Sequence, residues 1–250
     1  MYQLSYSLQL RIVGNSIEIL QRKALKIVLD ISKSTPNEIV YVESGYHTLK
    51  PSIYKRQLKF FQKIRDDCRE NPNSPVSAIY KQAFDCNTQF IRHYKKLEGM
   101  FDTPQKCYDH YVQEFKEQVQ LKIRQKFNND PDSALGTYYR VNPRLQTPIF
   151  NHSIVCHELD RKIITRYRTG CHMLKIQAGR LAGVRREERV CSCQRDLQTL
   201  AHVLFDCPVT ENIRVVHGLQ AANLEQFFED EDLTRTSLVL KAVAKQLKVD

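Results

Sequence analysis

Residues 191–208 read CSCQRDLQTLAHVLFDCP, and this short stretch carries four side chains that bind soft metal ions. The ligand order is Cys-x-Cys, eight residues, His, four residues and Cys, which gives Cys191, Cys193, His202 and Cys207. Three thiolates and one imidazole make a complete tetrahedral zinc set, and a complete set leaves no open position for water. The stretch therefore predicts a structural Zn²⁺ site that folds a small module and has no catalytic role.

The residues between the ligands predict how they are brought together. Thr199 to Asp206 has the pattern of a short helix, which would carry His202 and deliver Cys207. Pro208 follows at once and stops that helix, because proline cannot continue it. A tight turn at the Cys-x-Cys pair would let both of its thiolates approach one ion.

Two alternatives to this ligand set remain open at the level of sequence. The Cys-x-Cys spacing is shorter than the commonest structural-zinc pair, so Cys171 or His172 could replace one ligand. In the other alternative, Cys193 and Cys207 belong to an ordinary apolar core, and His202 is a buried histidine with ordinary hydrogen bonds.

The segment just before the cysteines is strongly basic. Residues 161–189 contain nine lysines and arginines against two glutamates, and Tyr167 and His172 add flat rings that can stack on bases. We predict a nucleic-acid contact here through Arg161, Arg166, Arg168, Lys175, Arg180, Arg185, Arg186 and Arg189. The alternative is a solvated helical face whose arginines lie over the apolar side formed by Ile163, Ile164 and Leu174.

Composition extends this expectation to the whole chain of 250 residues. Thirty-eight lysines and arginines against 28 acidic residues give a net charge of +10, which favours polyanions, with nucleic acid ahead of an anionic membrane surface. No apolar run is long enough for a membrane helix, and Met1 to Asn15 lacks the apolar core of a signal peptide. We expect no membrane partner, and reduced thiols in the nucleus or cytoplasm.

The remaining sequence predicts a mostly α fold, with a helical bundle-like first half followed by a small helical zinc-knuckle module. A long helix begins at Pro51 and places Ile53, Phe60, Phe61, Ile64 and Cys68 on its buried side. An earlier helix, capped by Ser16, has apolar residues along one face, namely Ile17, Leu20, Ala24, Ile27, Val28 and Ile31. We divide the chain into 1–150, a helical thumb-like region, 151–220, the basic segment with the knuckle, and 221–250, a carboxy-terminal helix. Whether this last helix packs internally or serves a partner is open.

Several phrases resemble the carboxy-terminal part of non-LTR retrotransposon reverse transcriptases. They are Thr165-Arg-Tyr-Arg-Thr-Gly170-Cys-His172, Leu174-Lys-Ile-Gln-Ala-Gly179-Arg180, His202-Val-Leu-Phe-Asp-Cys207-Pro208, and the earlier Ile17-Glu-Ile-Leu-Gln21-Arg22-Lys23-Ala24-Leu25 with Ser34-Thr35-Pro36 and Glu43-Ser-Gly45. In that family a thumb-like helical region follows the polymerase palm, and a Cys-Cys-His-Cys knuckle comes near the end. The resemblance covers roughly residues 17–214, with 71–151 much less distinctive.

This resemblance implies a nucleic-acid-binding fragment that is not itself an enzyme, because the catalytic aspartates of the palm would lie upstream of residue 1. It implies RNA or DNA as partner, with single-stranded or structured RNA favoured over duplex DNA. A polymerase or another element-encoded protein is a further candidate partner.

Two other functions stay in view. One is a protein-interaction module with structural zinc. The other is a remnant of the restriction-like nuclease that some relatives carry, for which Pro131-Asp132 and Asp160-Arg161-Lys162 would supply the acidic residues.

Overall fold

The computed structural model describes residues 16–148 and 157–249. The predictions for Met1 to Asn15 and for a domain boundary at residue 150 lie outside these residues. Within them the chain is mostly α, as predicted, and it contains no strand; the only β pairing is one antiparallel bridge between Val190 and Leu197. The helices are α1 (16–28), α2 (Asn37–Ser44), α3 (Lys50–Glu70), α4 (Pro75–Asp85), α5 (Gln89–Met100), α6 (Pro104–Asn129), α7 (Ala134–Val141), α8 (Glu158–Arg168), α9 (Lys175–Leu181), α10 (Glu211–Val216), α11 (Leu224–Phe228) and α12 (Leu233–Leu247).

Side-chain caps fix where several of these helices begin. The hydroxyl of Ser74 accepts a hydrogen bond from the N–H of Ser77 at 3.1 Å at the start of α4. Ser133 does the same for Gly136 at the start of α7, also at 3.1 Å. Each cap satisfies an N–H that has no partner inside the helix.

The chain divides into two compact units, Met1–Glu18 with His47–Val119 as unit 1, and Ile19–Tyr46 with Gln120–Asp250 as unit 2. In unit 1, α3 packs against α4 and α5. Its buried core is aromatic and aliphatic, with the rings of Phe61 and Tyr94 stacked at 4.2 Å between centroids. The core residues are Leu58, Phe61, Ile91, Tyr94, Leu97, Phe101 and Cys107.

The core of unit 2 surrounds the cysteine-rich stretch. It is formed by side chains of α8, α11 and α12, by Leu174 at the start of α9, and by residues 191–213. Among these side chains are Ile164, Leu174, Val203, Leu204, Phe227, Phe228, Val239, Leu240 and Val243. The carboxy-terminal helix α12 packs against α8. It therefore packs internally, which the sequence alone left open.

The predicted buried face of α1 is wrong, and that of α3 is correct for Phe61 but wrong for Ile53 and Phe60. On α1, Ile27 is 78% exposed and Val28 is 63% exposed, and Ile17 and Leu20 are also exposed, whereas Leu29, in the turn after α1, is buried. On α3, Leu58 and Phe61 form the buried face, and Ile53 and Phe60 point to solvent. Periodicity identifies residues that share a face, but the neighbouring helices decide which face becomes buried.

Candidate metal centre

A tight turn brings Cys191 and Cys193 together. The backbone N–H of Cys191 donates to the carbonyl of Asp196 at 2.8 Å, and the N–H of Gln194 donates to the carbonyl of Cys191 at 2.9 Å. Gln194 has φ of +59°, a left-handed conformation that reverses the chain within three residues. The Val190–Leu197 bridge closes the base of this turn. The short Cys-x-Cys spacing is therefore accommodated by a knuckle-shaped loop.

The predicted short helix is present over residues 200–206, and it delivers the other two ligands. The hydroxyl of Thr199 caps it by accepting from the N–H of His202 at 3.1 Å. His202–Asp206 is wound as a π turn, and the N–H of Cys207 donates to the carbonyl of His202 at 2.8 Å. In an α-helix, two residues five apart point about 140° away from each other. The wider π turn brings His202 and Cys207 towards the same side.

The four ligand atoms converge as a metal site requires. The Sγ atoms of Cys191 and Cys207 lie 3.6 Å apart, and the Sγ atom of Cys193 lies 3.1 Å from Nε2 of His202. All four ligand atoms lie within 4.8 Å of one another. A tetrahedral ion with bonds of about 2.3 Å to sulfur would hold two thiolates about 3.8 Å apart. The donor set and its spacing therefore fit one metal ion.

The site is largely withdrawn from solvent. Cys191, His202 and Cys207 are buried, and only Cys193 is partly exposed. Burial opposes ionisation of Cys193, but the backbone N–H of Arg195, followed by His202, lowers the pKa of this thiol to about 6. Burial raises the pKa of the Cys207 thiol to about 11. A metal ion would favour the thiolate form at each cysteine, because only thiolates act as ligands.

Neighbouring side chains hold Cys207 in position. The hydroxyl of Thr210 donates to the carbonyl of Val203 at 2.6 Å, and the guanidinium of Arg214 donates to the carbonyl of Cys207 at 2.9 Å. Neither residue was identified from the sequence. The pattern Thr-x-x-His before the helix could have identified Thr199 as a cap, but no local pattern points to Thr210 or Arg214.

Cys171 and His172 do not belong to the cluster. The Sγ atom of Cys171 lies 3.1 Å from Oγ1 of Thr35, and it accepts from the N–H of Ser32. His172 is buried with its ring stacked on Tyr167 at 5.0 Å between centroids. Among the described residues, the four side chains close enough to hold one metal ion are thus Cys191, Cys193, His202 and Cys207, and neither Cys171 nor His172 is one of them.

Arg168 requires a correction, because its side chain is only 6% exposed and cannot reach a nucleic acid. Its Nη2 atom lies 3.0 Å from Oε1 of Glu43, whose side chain is fully buried, and its Nε atom donates to the same carboxylate. The hydroxyl of Tyr138 donates to Glu43 at 2.7 Å and accepts from Asn142 at 3.0 Å. Burial, followed by the Glu43 charge, raises the pKa of Tyr138 well above its ordinary value. Arg168 is therefore part of a buried polar network.

The other predicted nucleic-acid residues lie nearer the surface, and several of them contact their own chain. Arg189 donates to the carbonyls of Val184 and Ile176, and Lys175 donates to the carbonyl of Val190. Arg161 donates to the carbonyl of Val28. Arg166, Arg185 and Arg186 form ion pairs with Asp30, Glu188 and Asp132 respectively. Arg180 is partly buried, and its burial lowers its pKa.

The two aspartates of the nuclease alternative occupy different surroundings. The carboxylate of Asp160 lies on α8 and accepts from Ser237 at 2.6 Å and from Lys241 at 2.8 Å, contacts that lower its pKa. Asp132 pairs with Arg186 and Arg140. In the part of the chain that the structure describes, neither aspartate belongs to a group of side chains able to hold a metal ion.

The seven described cysteines are all free thiols. None of the helices in the described ranges has the length and apolar character needed to cross a membrane. No protein family, no curated protein and no solved structure matches this chain. What the chain can do must therefore be argued from its own side chains.

Proposed function

We propose that unit 2 is a nucleic-acid-binding domain whose fold is stabilised by a structural zinc ion. The observation that carries this proposal is the convergence of three cysteines and one histidine inside the core of the unit. Cys191, Cys193, His202 and Cys207 would hold the ion. When bound, the ion would supply a fixed cross-link between the knuckle turn and the helix of residues 200–206.

The choice of zinc follows from the donor set. Thiolate and imidazole ligands in a tetrahedral arrangement are typical of Zn²⁺, whereas oxygen ligands suit Mg²⁺ and Ca²⁺. Four protein ligands leave no position for water or substrate, so the role is structural. Three of the four ligand side chains are buried, which fits a site that supports the core.

The surface near the knuckle supports a polyanionic partner. Lys175, Arg185 and Arg186 are exposed, and the two arginines pair only with partly exposed carboxylates. Exposed ion pairs contribute about 0–1 kcal/mol, so a phosphate can replace the carboxylate at little cost. Phosphate contacts dominate the affinity of nucleic-acid-binding proteins and carry little sequence preference. RNA or DNA is therefore the proposed partner.

The resemblance described above supports a more specific origin. We propose that the chain corresponds to the carboxy-terminal region of a non-LTR retrotransposon reverse transcriptase without the polymerase palm. In that role it would bind nucleic acid, would not polymerise it, and would act beside a polymerase or another element-encoded protein. Reduced thiols are consistent with a nuclear or cytoplasmic location.

A second candidate function is protein binding, and one observation favours it. Val215 and Val216 at the end of α10 are 76% and 77% exposed. A protein partner could bury these two adjacent apolar side chains on binding. Binding through these valines would resist high salt, because apolar contacts are not screened, whereas phosphate contacts weaken as salt rises.

Binding of labelled single-stranded RNA and DNA across a salt series tests the main proposal. We expect affinity to fall steeply with salt, and Arg185→Gln with Arg186→Gln to weaken binding while the fold and the metal are retained. Cys191→Ser should remove both the metal and the binding, and Cys86→Ser, which alters an exposed cysteine outside the cluster, should change neither. Binding that persists unchanged in the arginine variants would contradict the assignment of this surface.

A further inference from the structure

A run of basic residues lies on the amino-terminal part of α3, in unit 1. Between residues 50 and 64 the helix has five basic side chains and no acidic one. Four of the five are exposed. Lys50 lies over the rings of Tyr54 and Tyr111, and the other three are Arg56, Lys59 and Lys63. At about 100° per residue they share an arc of about 120° with Ile53 and Phe60. We call these five residues, Ile53, Arg56, Lys59, Phe60 and Lys63, the α3 stripe.

The three cations of the α3 stripe have no ion-pair or hydrogen-bond partner among the described residues. Other cations of the same helix are engaged, since Lys55 donates to Oε1 of Gln105 at 2.6 Å and Arg65 pairs with Glu98. Like charges three or four residues apart on a helix repel each other. The stripe thus concentrates positive charge that no described residue pairs with, which is the reverse of the situation at Arg168.

Phe60 and Ile53 add apolar surface between these charges, with Phe60 54% exposed and Ile53 42% exposed. The ring of Phe60 meets Phe61 edge to face, at 6.0 Å between centroids. Phe61 is itself buried and stacked on Tyr94. The core therefore supports the Phe60 ring from one side, while more than half of its surface is open to solvent.

We propose that the α3 stripe binds a single-stranded nucleic acid, with Arg56, Lys59 and Lys63 contacting phosphates and Phe60 stacking on a base. The choice of nucleic acid as the polyanion rests on the proposed function. The surface itself is new, because it lies on unit 1 and was not predicted from the sequence. A single strand offers phosphates and accessible base faces together, whereas a duplex hides its base faces inside the stack.

The position of the apolar residues separates this surface from a membrane-binding helix. An interfacial helix has its apolar residues on one face and its cations on the opposite one. On α3 the opposite face, with Leu58 and Phe61, is already buried in the core of unit 1. Ile53 and Phe60 instead share one face with the cations. This arrangement suits a ligand in which phosphates alternate with flat bases.

The test uses the full chain and three variants that keep the buried face of α3 intact. The first is Arg56→Gln, Lys59→Gln and Lys63→Gln combined, and the second is Phe60→Leu. The third is a control of equal charge in the same unit, Lys81→Gln, Lys96→Gln and Lys116→Gln combined, since these lysines are also exposed. The probes are single-stranded oligothymidylate, inorganic polyphosphate and vesicles that contain phosphatidylserine.

Loss of three phosphate contacts should make the slope of log affinity against log salt shallower by about two for oligothymidylate, beyond any change in the control. Phe60→Leu should weaken oligothymidylate binding about tenfold and leave polyphosphate binding unchanged, because only the oligonucleotide has bases to stack. Equal changes in oligothymidylate affinity and in its salt dependence for the stripe and control variants would overturn the proposal. The proposal would also be overturned if the stripe variants weakened binding to vesicles but not to oligothymidylate.

The same measurements separate this proposal from that for unit 2. If only Arg185→Gln with Arg186→Gln weakens binding, the α3 stripe proposal fails and the assignment of unit 2 stands. If only the stripe variants weaken binding, the stripe proposal stands and the assignment of unit 2 fails. No binding of oligothymidylate by the unmodified chain would overturn the α3 stripe proposal directly.

Discussion

The knuckle and the buried pair of Glu43 and Arg168 both place polar atoms in the interior of unit 2, but over very different distances along the chain. The four candidate ligands of the knuckle lie within a stretch of seventeen residues, from Cys191 to Cys207. Glu43 and Arg168 are separated by 125 residues. The first arrangement is encoded by spacing, and the second exists only after α2 and α8 have packed in the folded unit.

This difference determines how each feature stabilises the fold. A metal ion would cross-link the knuckle turn to the following helix and so constrain a short segment strongly. The ion pair adds little net energy relative to an apolar pair of similar shape, because burying two charges is costly. Removing one partner should lower the free energy of unfolding strongly, because the remaining charge stays buried without an opposite charge beside it. For the ion pair, removing one partner should therefore destabilise unit 2 more than replacing both.

The largest expected effect is that of metal removal. Structural zinc contributes about 10–16 kcal/mol of apparent binding free energy in small peptides, which is comparable to the whole stability of a domain. We expect a chelator, or Cys207→Ser, to abolish hydrogen-exchange protection in α8 and α12. Helices α3 and α5 of unit 1 serve as the internal control. Full protection of α12 without metal would show that the knuckle does not hold unit 2 together.

The next effect is on the buried ion pair. Arg168→Ala should lower the free energy of unfolding by about 3–5 kcal/mol, because it leaves the Glu43 carboxylate buried without its cation. Arg168→Met combined with Glu43→Leu should cost much less, since neither charge remains. Arg161→Ala, at a partly exposed position of the same helix, is the matched control in chemical denaturation. Equal losses for Arg161→Ala and Arg168→Ala would contradict the account of the network.

A third buried polar group, His172, lies outside the cysteine cluster and forms no ion pair with any residue that the structure describes. Burial, followed by the charge of Arg180, lowers the pKa of His172 to about 3. The imidazole of an unfolded chain has a pKa of about 6.5, so between these values only the unfolded state binds the proton. The free energy of unfolding should therefore fall as pH falls below about 6.5, by up to roughly 1.4 kcal/mol per pH unit until pH nears about 3.

Denaturation between pH 7 and 4.5 measures this effect as the difference in slope between the unmodified chain and His172→Gln. His110→Gln, at an exposed histidine, provides the reference. If His172→Gln and the unmodified chain lose stability in parallel, titration of His172 does not contribute.

The smallest expected effect concerns the cap of the knuckle helix. Thr199→Ala removes the hydroxyl that accepts from the N–H of His202, and losing such a cap costs about 1 kcal/mol. Thr199→Ser keeps the hydroxyl and should restore most of the loss in thermal unfolding. Identical unfolding of both variants would show that the cap does not matter once the ligands are in place.

The sequence predicted those parts of the structure that depend on nearby residues. The helical class, the helix after Thr199 and the set of four ligands all follow from spacing, capping residues and prolines. The π turn was not predicted, because no residue pattern in 199–207 distinguishes it from an ordinary helical turn. The buried role of Arg168 was missed for a similar reason, since its partner Glu43 lies far away in sequence.

The same limit explains the error on α3. Phe60 and Phe61 are adjacent and equally apolar in the sequence, yet Phe61 enters the core of unit 1 and Phe60 remains exposed. Only the position of α5, which brings Tyr94 to Phe61, decides between them. Charge density was misleading as well. Much of the basic segment at 161–189 pairs with its own chain, whereas the cations of the α3 stripe form no ion pair or hydrogen bond with residues 16–148 or 157–249.

X-ray absorption at the zinc edge, on protein purified without added metal, tests the central claim most directly. The account predicts one zinc per chain with three sulfur neighbours at about 2.3 Å and one nitrogen at about 2.0–2.1 Å. The nitrogen should be lost in His202→Ala and kept in His172→Gln. A chain that purifies folded without zinc, or whose zinc has mainly oxygen neighbours, would contradict the claim that this knuckle is a structural zinc site.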